Sequence, residues 1–214
     1  MESPTCLTDA TLLVVADAST VINLNATGSA EIILTALPNR VLVVDVVREE
    51  LEDGGERGRR NAEMLNALVV AGRVEIVTLG EPAEAHFEGL VIGAAAQTLD
   101  DGEAATIAYA VGCGGIAILD ERKATRICSE RFPELALGCT GDVLAHPDVL
   151  GSLGREALAE AVFNALFAGR MRVFPRHLEW VLQLIGPERA ARCTSLRASV
   201  RQAFTAAAKR PPGE

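Results

Sequence analysis

The sequence predicts an α/β protein built on a parallel sheet, and three observations predict it. Short continuous apolar runs alternate with stretches of helical period, the pattern of strands buried on both faces and joined by helical crossovers. Of the 214 residues 49% are apolar but only 4% aromatic, so small aliphatic side chains must fill the core. Two of the apolar runs end on an aspartate, Asp17 and Asp120. In an open parallel sheet, ligands bind beyond the carboxyl ends of the strands.

Each element follows from local pattern. Residues 1–11 are polar and read as loose. The run over 12–16 is a first strand ending at Asp17. Residues 31–37 predict a short helix that stops before Pro38, because the residue before a proline avoids helical angles. Residues 41–44 are a second strand leading into a helical stretch over 46–52. Asp53-Gly-Gly-Glu-Arg-Gly58 reads as a flexible charged loop, and 61–71 resumes as a helix ended by Gly72. Residues 74–77 are a third strand, followed by a glycine-interrupted helix over 84–98 and another over 103–111 that closes on Gly112-Cys-Gly-Gly115. Residues 116–119 are the fourth strand, again ending on an aspartate, then a helix over 121–130 and a short edge strand over 135–139. Beyond His146-Pro147 the strands stop. Residues 152–169 and 176–185 are helical by period, 171–174 is the one remaining strand candidate, and Gly186-Pro187 precedes a last basic helix over 188–208 with a frayed end at 211–213. The chain thus divides into an α/β domain over 12–145 and a basic helical extension over 151–214.

Charge follows the same division. The net charge is −9, yet residues 1–150 hold 10 Lys and Arg against 24 Asp and Glu, whereas 151–214 hold 10 against 5. An acidic body with a basic tail is an asymmetry that solubility or a polyanionic partner can explain. The five cysteines, Cys6, Cys113, Cys128, Cys139 and Cys193, form no C-x-x-C pair, so neither a disulfide framework nor a structural zinc site is indicated. No signal-peptide pattern opens the chain and no apolar run approaches ~18 residues, which points away from a membrane and toward the cytoplasm.

The carboxylates are the chemical signal. If the first and fourth strands are neighbours, Asp17 and Asp120 point into one cleft. Glu103 opens a helix whose first turn Asp101 can cap, and the helix dipole there is expected to keep Glu103 ionised and ready for a cation. Glu49 and Glu50 precede Leu51 on a half-apolar helix, so one leans toward the core side and the other into solvent. Several oxygen ligands without paired histidines or a cysteine cluster favour Mg²⁺ or Mn²⁺ over zinc. Other chemistries are excluded: the glycines at 112–115 close a helix instead of opening one, no G-x-S-x-G occurs, and His86, His146 and His177 have no partners at nucleophile spacing. Phe174 and Trp180 read as packing residues of the C-terminal helices.

Four motifs in order carry a resemblance: Asp17-Ala-Ser19-Thr after the first strand, Arg48-Glu-Glu50-Leu, Asp100-Asp-Gly-Glu103-Ala, and Leu119-Asp120-Glu-Arg-Lys. Together they resemble the successive motifs of the PIN-domain nucleases, in the branch with a Gly-Glu-Ala third motif and a Thr-Gly after the last strand, here Thr140-Gly141. The resemblance covers about 12–145. It implies a three-layer α/β/α fold with a five-stranded parallel sheet, and metal-dependent cleavage of RNA. Asp17, Glu50, Glu103 and Asp120 match the acid quartet that holds Mg²⁺ or Mn²⁺. Ser19 matches the hydroxyl that assists at the first motif, and Glu121 stands where relatives often have a second aspartate. The extension departs from the usual size of small toxins of this kind. In it, Arg170, Arg172, Arg189 and Arg192 are candidates for RNA phosphates, or its helices serve as a lid or homodimer element.

The leading functional reading is a metal-dependent ribonuclease, as the toxin half of a pair with an antitoxin protein. A non-catalytic module that binds RNA or protein is the alternative from another class. A phosphatase is a weaker one, because that chemistry usually wants a second carboxylate two residues after Asp17, where Ser19 stands.

Overall fold

The structure, a computed structural model, describes residues 5–208; the end expected to fray at 211–213 lies outside them. Five strands form one all-parallel sheet: β1 (Val14–Ala16), β2 (Val41–Val44), β3 (Val74–Val77), β4 (Ile116–Ile118) and β5 (Ala136–Gly138). Their order is β3-β2-β1-β4-β5. The chain therefore walks outward from β1 to one edge, then restarts beside β1 and walks to the other. The reversal falls between β1 and β4, where an open sheet leaves a crevice at its carboxyl end. β1, β2 and β4 are buried throughout, whereas the edge strands β3 and β5 keep exposed positions.

Alternation along the strands creates two cores, one on each face. Val14, Ala16, Val43, Ile116 and Ile118 belong to one apolar cluster, while Val15, Val44, Ala117 and Leu119 belong to the other. The first is covered by α1 (Ala18–Ala26), α2 (Ala30–Ala36), α4 (Gly55–Val70), α9 (Pro147–Phe167) and α10 (Pro175–Arg192). The second is covered by α5 (Glu81–Val91), α6 (Asp101–Cys113) and α7 (Arg122–Arg131). α3 (Asp45–Asp53) sits at the seam, with Val47 in the first cluster and Val46 against the second. The result is the three-layer α/β/α architecture.

Several local expectations change. Helix α1, which no periodicity singled out, starts directly after Asp17. The loop expected over 53–58 shrinks to a break at Gly54 between the end of α3 and the first turn of α4, because Gly58 lets α4 lie against α3: a Cβ there would sit 2.2 Å from the Leu51 carbonyl oxygen. The helix expected to run to 98 ends at Val91 and gives way to turns. No strand forms over 171–174; the segment is irregular chain that carries Met171 into the core. Residues 5–7 are not loose: Thr5 Oγ1 donates to the Asp142 carbonyl (2.8 Å), Cys6 N to Asp142 Oδ1 (3.1 Å), and Leu7 is buried.

The C-terminal helices pack on the sheet. α9 starts at Pro147 with His146 as its cap and bends at Gly154. Its Leu158, Val162 and Leu166 share one apolar cluster with Val21 and Leu24 of α1 and Ile33 of α2. α10 adds Val181 and Ile185 to the same cluster, and α11 (Ala198–Ala208) follows.

Candidate active site

A cleft of about 430 Å³ opens at the carboxyl ends of β1 and β4, lined by Asp17, Ser19, Glu50, Asp100, Glu103, Glu121 and Lys123. Four separate elements bring these carboxylates together. Asp17 leaves β1 in extended geometry and caps α1: its Oδ1 accepts from Thr20 N (2.7 Å) and its Oδ2 from Ser19 Oγ (2.8 Å). Both bonds fix the carboxylate rotamer, as a cap should. Asp120 leaves β4 and is held from two sides, Oδ1 by Thr140 N (2.9 Å) and Oδ2 by Thr140 Oγ1 (2.5 Å) and Asn23 Nδ2 (2.6 Å). Three donors occupy three of roughly four acceptor positions of a carboxylate, leaving room for one more partner. Asp120 is absent from the lining of the large cleft; it borders an adjoining cavity of about 150 Å³ that shares Ser19 and Glu121 with it.

Glu103 stands in the first turn of α6, but the cap is Asp100 rather than Asp101, with Oδ1 accepting from Glu103 N at 2.9 Å. The helix begins at Asp101, two positions earlier than its apolar period indicates, which moves the cap back one residue. Both adjacent glutamates on α3 are largely exposed, but Glu50 lines the cleft and Glu49 does not. Glu50 lies flat against α6: a Cβ on Gly102 would come within 2.1 Å of Glu50 Oε2. The glycine of the third motif thus admits the carboxylate of the second.

Crowding shifts Asp17, Glu50, Glu103 and Asp120 in one direction. Burial, then the negative charge of Asp120, pushes Asp17 well above the usual carboxylate range. Burial also raises Asp120 against the opposing pull of its Thr140 and Asn23 bonds. Burial and then Asp100 and Asp101 raise Glu50. Glu103 goes from 4.5 to about 8, through burial first and then Asp100, Asp17 and Glu121, with Lys123 opposing. The expectation that the helix dipole keeps Glu103 ionised is therefore corrected. Desolvation and three acidic neighbours outweigh the dipole, and without a cation Glu103 holds its proton at neutral pH. A hard, oxygen-only donor set short of positive charge fits a divalent ion of the magnesium type.

The four candidate arginines part company. Arg170 and Arg172 border the small cavity beside Asp120, and Arg172 Nη1 donates to Glu121 Oε1 at 2.7 Å. Arg170 takes a left-handed backbone conformation (φ 59°), uncommon for a side chain of its size. Arg189 instead pairs with Glu160 (2.6 Å), and Arg192 lies over the rings of Phe163 and Phe167 (5.0 and 5.2 Å to the centroids), contacts that line no part of the acidic cleft.

One buried polar cluster was missed by sequence reasoning. Asp142, in α8 (Thr140–Leu144), accepts from Cys139 N (2.8 Å), Cys139 Sγ (3.1 Å), Cys6 N (3.1 Å) and Arg176 Nη2 (2.6 Å), and His177 Nε2 lies 3.2 Å from its Oδ1. Burial pushes Asp142 up, but the bonds from His177 and Arg176 outweigh it and hold the carboxyl well below its usual range. Cys139, Asp142 and His177 bring their ligand-type atoms within 4.8 Å of one another. With so many donors already on Asp142, the cluster serves as a clasp between the amino-terminal segment, α8 and α10. His177 is a core histidine, and its partner is a carboxylate 35 residues away in the chain, not a nucleophile. The aspartate after Thr140-Gly141 was the only available signal.

A family model described as a PIN domain matches residues 13–187. The chain belongs to the PIN-domain family. The match includes all four motif carboxylates and continues past 145 through α9 into α10. The PIN domain is a nuclease-type fold, and PIN-domain nucleases generally use divalent metal ions. No curated protein and no solved structure matches the chain. Among the described residues, no helix is long and apolar enough to cross a membrane.

Proposed function

We propose that this PIN domain is a metal-dependent endoribonuclease that hydrolyses phosphodiester bonds in RNA. In this reading Asp17, Glu50, Glu103 and Asp120 hold one or two Mg²⁺ or Mn²⁺ ions. The observation that carries the proposal is the convergence of these carboxylates, from β1, α3, α6 and β4, on one end of the sheet with their pKa values all raised. A site that repels its own charges gains most from a bound cation. When bound, such an ion lowers the pKa of coordinated water and stabilises the oxygens of an in-line displacement at phosphorus.

The chain's own residues supply rigidity and charge. Thr20 and Ser19 hold Asp17, and Thr140 and Asn23 hold Asp120, so neither carboxylate must reorganise when a substrate arrives. Asp100 fixes the first turn of α6 and with it the position of Glu103. In this reading Lys123, the one cation lining the cleft among the described residues, faces a substrate phosphate oxygen.

Purified protein incubated with unstructured RNA and Mn²⁺ tests the reading. Cleavage should vanish on adding a chelator and in Asp17→Asn and Asp120→Asn, with circular dichroism unchanged. Undiminished cleavage by either variant removes the quartet from the mechanism. RNA binding without cleavage by the wild type favours the non-catalytic alternative. As a toxin of a toxin–antitoxin pair, the protein should arrest growth when expressed alone, and Asp17→Asn should relieve the arrest. Equal arrest by both forms would sink that role.

A further inference from the structure

A second pocket lies beside the acidic cleft and has the opposite character. It occupies about 490 Å³, and Arg122, Arg172 and Arg197 share it with Val173, Pro175 and Leu178. That volume is in the range of sites that take a small organic molecule. The arginines come from three places: the first turn of α7, the irregular chain before α10, and the segment leading into α11. Among the described residues, no carboxylate lines the pocket, and neither Arg122 nor Arg197 makes an ion pair or a side-chain hydrogen bond. Three guanidinium groups around one space, in a protein of net charge −9, leave a strong local excess of positive charge. The apolar side wall gives the pocket a surface on which a flat ring can lie.

Arg172 joins the two sites. It lines this pocket while its guanidinium pairs with Glu121, which lines the acidic cleft. Arg172 and Glu121 are both substantially exposed, at 55% and 40% of their side chains. Such a pair is weakly held, so a phosphate can recruit Arg172 at little cost.

We propose that Arg122, Arg172 and Arg197 form a nucleotide subsite that binds single-stranded RNA next to the bond to be cut. The arginines take the phosphate of the neighbouring nucleotide, and Val173, Pro175 and Leu178 receive its base. This rests on the nuclease reading and adds a direction to it: the RNA leaves the acidic cleft past Glu121 and runs toward α10 and α11. Arginine suits the task, since its planar fork matches phosphate oxygens and its face stacks on rings. The subsite is sequence-tolerant, because phosphate contacts carry no base information.

The test is binding of a fluorescein-labelled ten-nucleotide oligouridylate, followed by anisotropy across a salt series in Ca²⁺, a hard oxygen-liganded cation. Each phosphate contact on a single strand contributes about 0.7 to the slope of log affinity against log salt. The double variant Arg122→Ala/Arg197→Ala should therefore flatten the slope by about 0.7, the share of that one phosphate, and weaken binding about fivefold near 100 mM salt. Arg73→Ala, a solvent-exposed change just before β3 at the opposite end of the sheet, should match the wild type. A double variant with wild-type affinity and slope, or a wild type that does not bind the oligonucleotide, overturns the subsite. Asp17→Asn separates the two readings, because it should bind the oligonucleotide and cleave nothing. If it cleaves normally while the arginine variant still loses binding, the metal mechanism falls and the subsite stands.

Discussion

Replacing Glu103 by Gln should make the protein more stable at alkaline pH and leave it nearly unchanged at acid pH. The folded carboxyl sits at about 8 against an ordinary 4.5. A group whose folded pKa is raised binds its proton more tightly in the native state. Its ionisation therefore costs stability progressively as pH rises from about 4.5, and the full cost is reached above about 8. At about 1.4 kcal/mol per pH unit the gap corresponds to roughly 5 kcal/mol. Glu103 keeps contact with solvent at the cleft, and screening there reduces the figure to about 2 kcal/mol. Glutamine carries no such cost. In a protein of this length, about 2 kcal/mol moves Tm by roughly 4–8 °C. Thermal melts of wild type and variant in chelator at pH 5 and pH 8.5 measure the difference directly. Added Mn²⁺ should then raise the wild-type Tm at pH 8.5 and raise that of the variant much less, since a ligand stabilises only the state that binds it. A gap that is the same at both pH values, or a variant that melts lower at pH 8.5, would refute the reasoning.

Two further changes probe the supports of the site. Gly102→Ala should displace Glu50 without unfolding the protein, because the added Cβ meets only the flexible end of that side chain. Calorimetric titration should then show Mn²⁺ affinity reduced by about tenfold, of the order expected for losing one ligand contact (about 1.4 kcal/mol), and unchanged affinity would refute Glu50 as a ligand. Asp142→Asn should cost about 2 kcal/mol at pH 7, since Arg176 and His177 lose a buried charged partner. Asp142 titrates below its ordinary value, so that stability is present above about pH 4 and lost as the pH falls further. Urea unfolding at pH 7 and pH 3 should show the wild-type advantage shrinking in acid, and a constant gap would count against the Arg176–Asp142 ion pair.

The legible part of this protein was the part written in local pattern. Five of the six strand candidates became strands, and the central ones were the plainest because a strand buried on both faces leaves no polar positions to blur the signal; that the two strands followed by aspartates are neighbours came only from the fold. Gly102 and Glu103 were visible as a motif, yet nothing local revealed that the glycine exists to admit Glu50. The ionisation of Glu103 was misjudged for the same reason: the dipole is local and visible, while Asp17 and Glu121 arrive through the fold. The loop expected over 53–58 shows propensity overridden by packing, with glycine accepted inside α4 so that α3 can approach. The clasp of Asp142, Arg176 and His177 was beyond reach, since its members share no spacing rule. The four candidate arginines were chosen for charge alone, and only tertiary structure distinguishes Arg172, beside the acids, from Arg192, stacked on Phe163 and Phe167.

The placement of β1 at the centre of the sheet has a consequence for the life of the chain before it is complete. The Thr20 hydroxyl reaches the Ile118 carbonyl across 98 positions of sequence, and β1 completes its pairing only when β4 is available. A chain synthesised only as far as α5 can pair β1 with β2 and β2 with β3, but one side of β1 stays bare. An unpaired apolar edge is a template for unwanted strand pairing, and this one stays open until β4 has been made. Asp17 and Asp120 come together only when β4 docks beside β1, so the acidic crevice does not exist in any nascent chain that ends before β4 and assembles late, with the closing of that long loop.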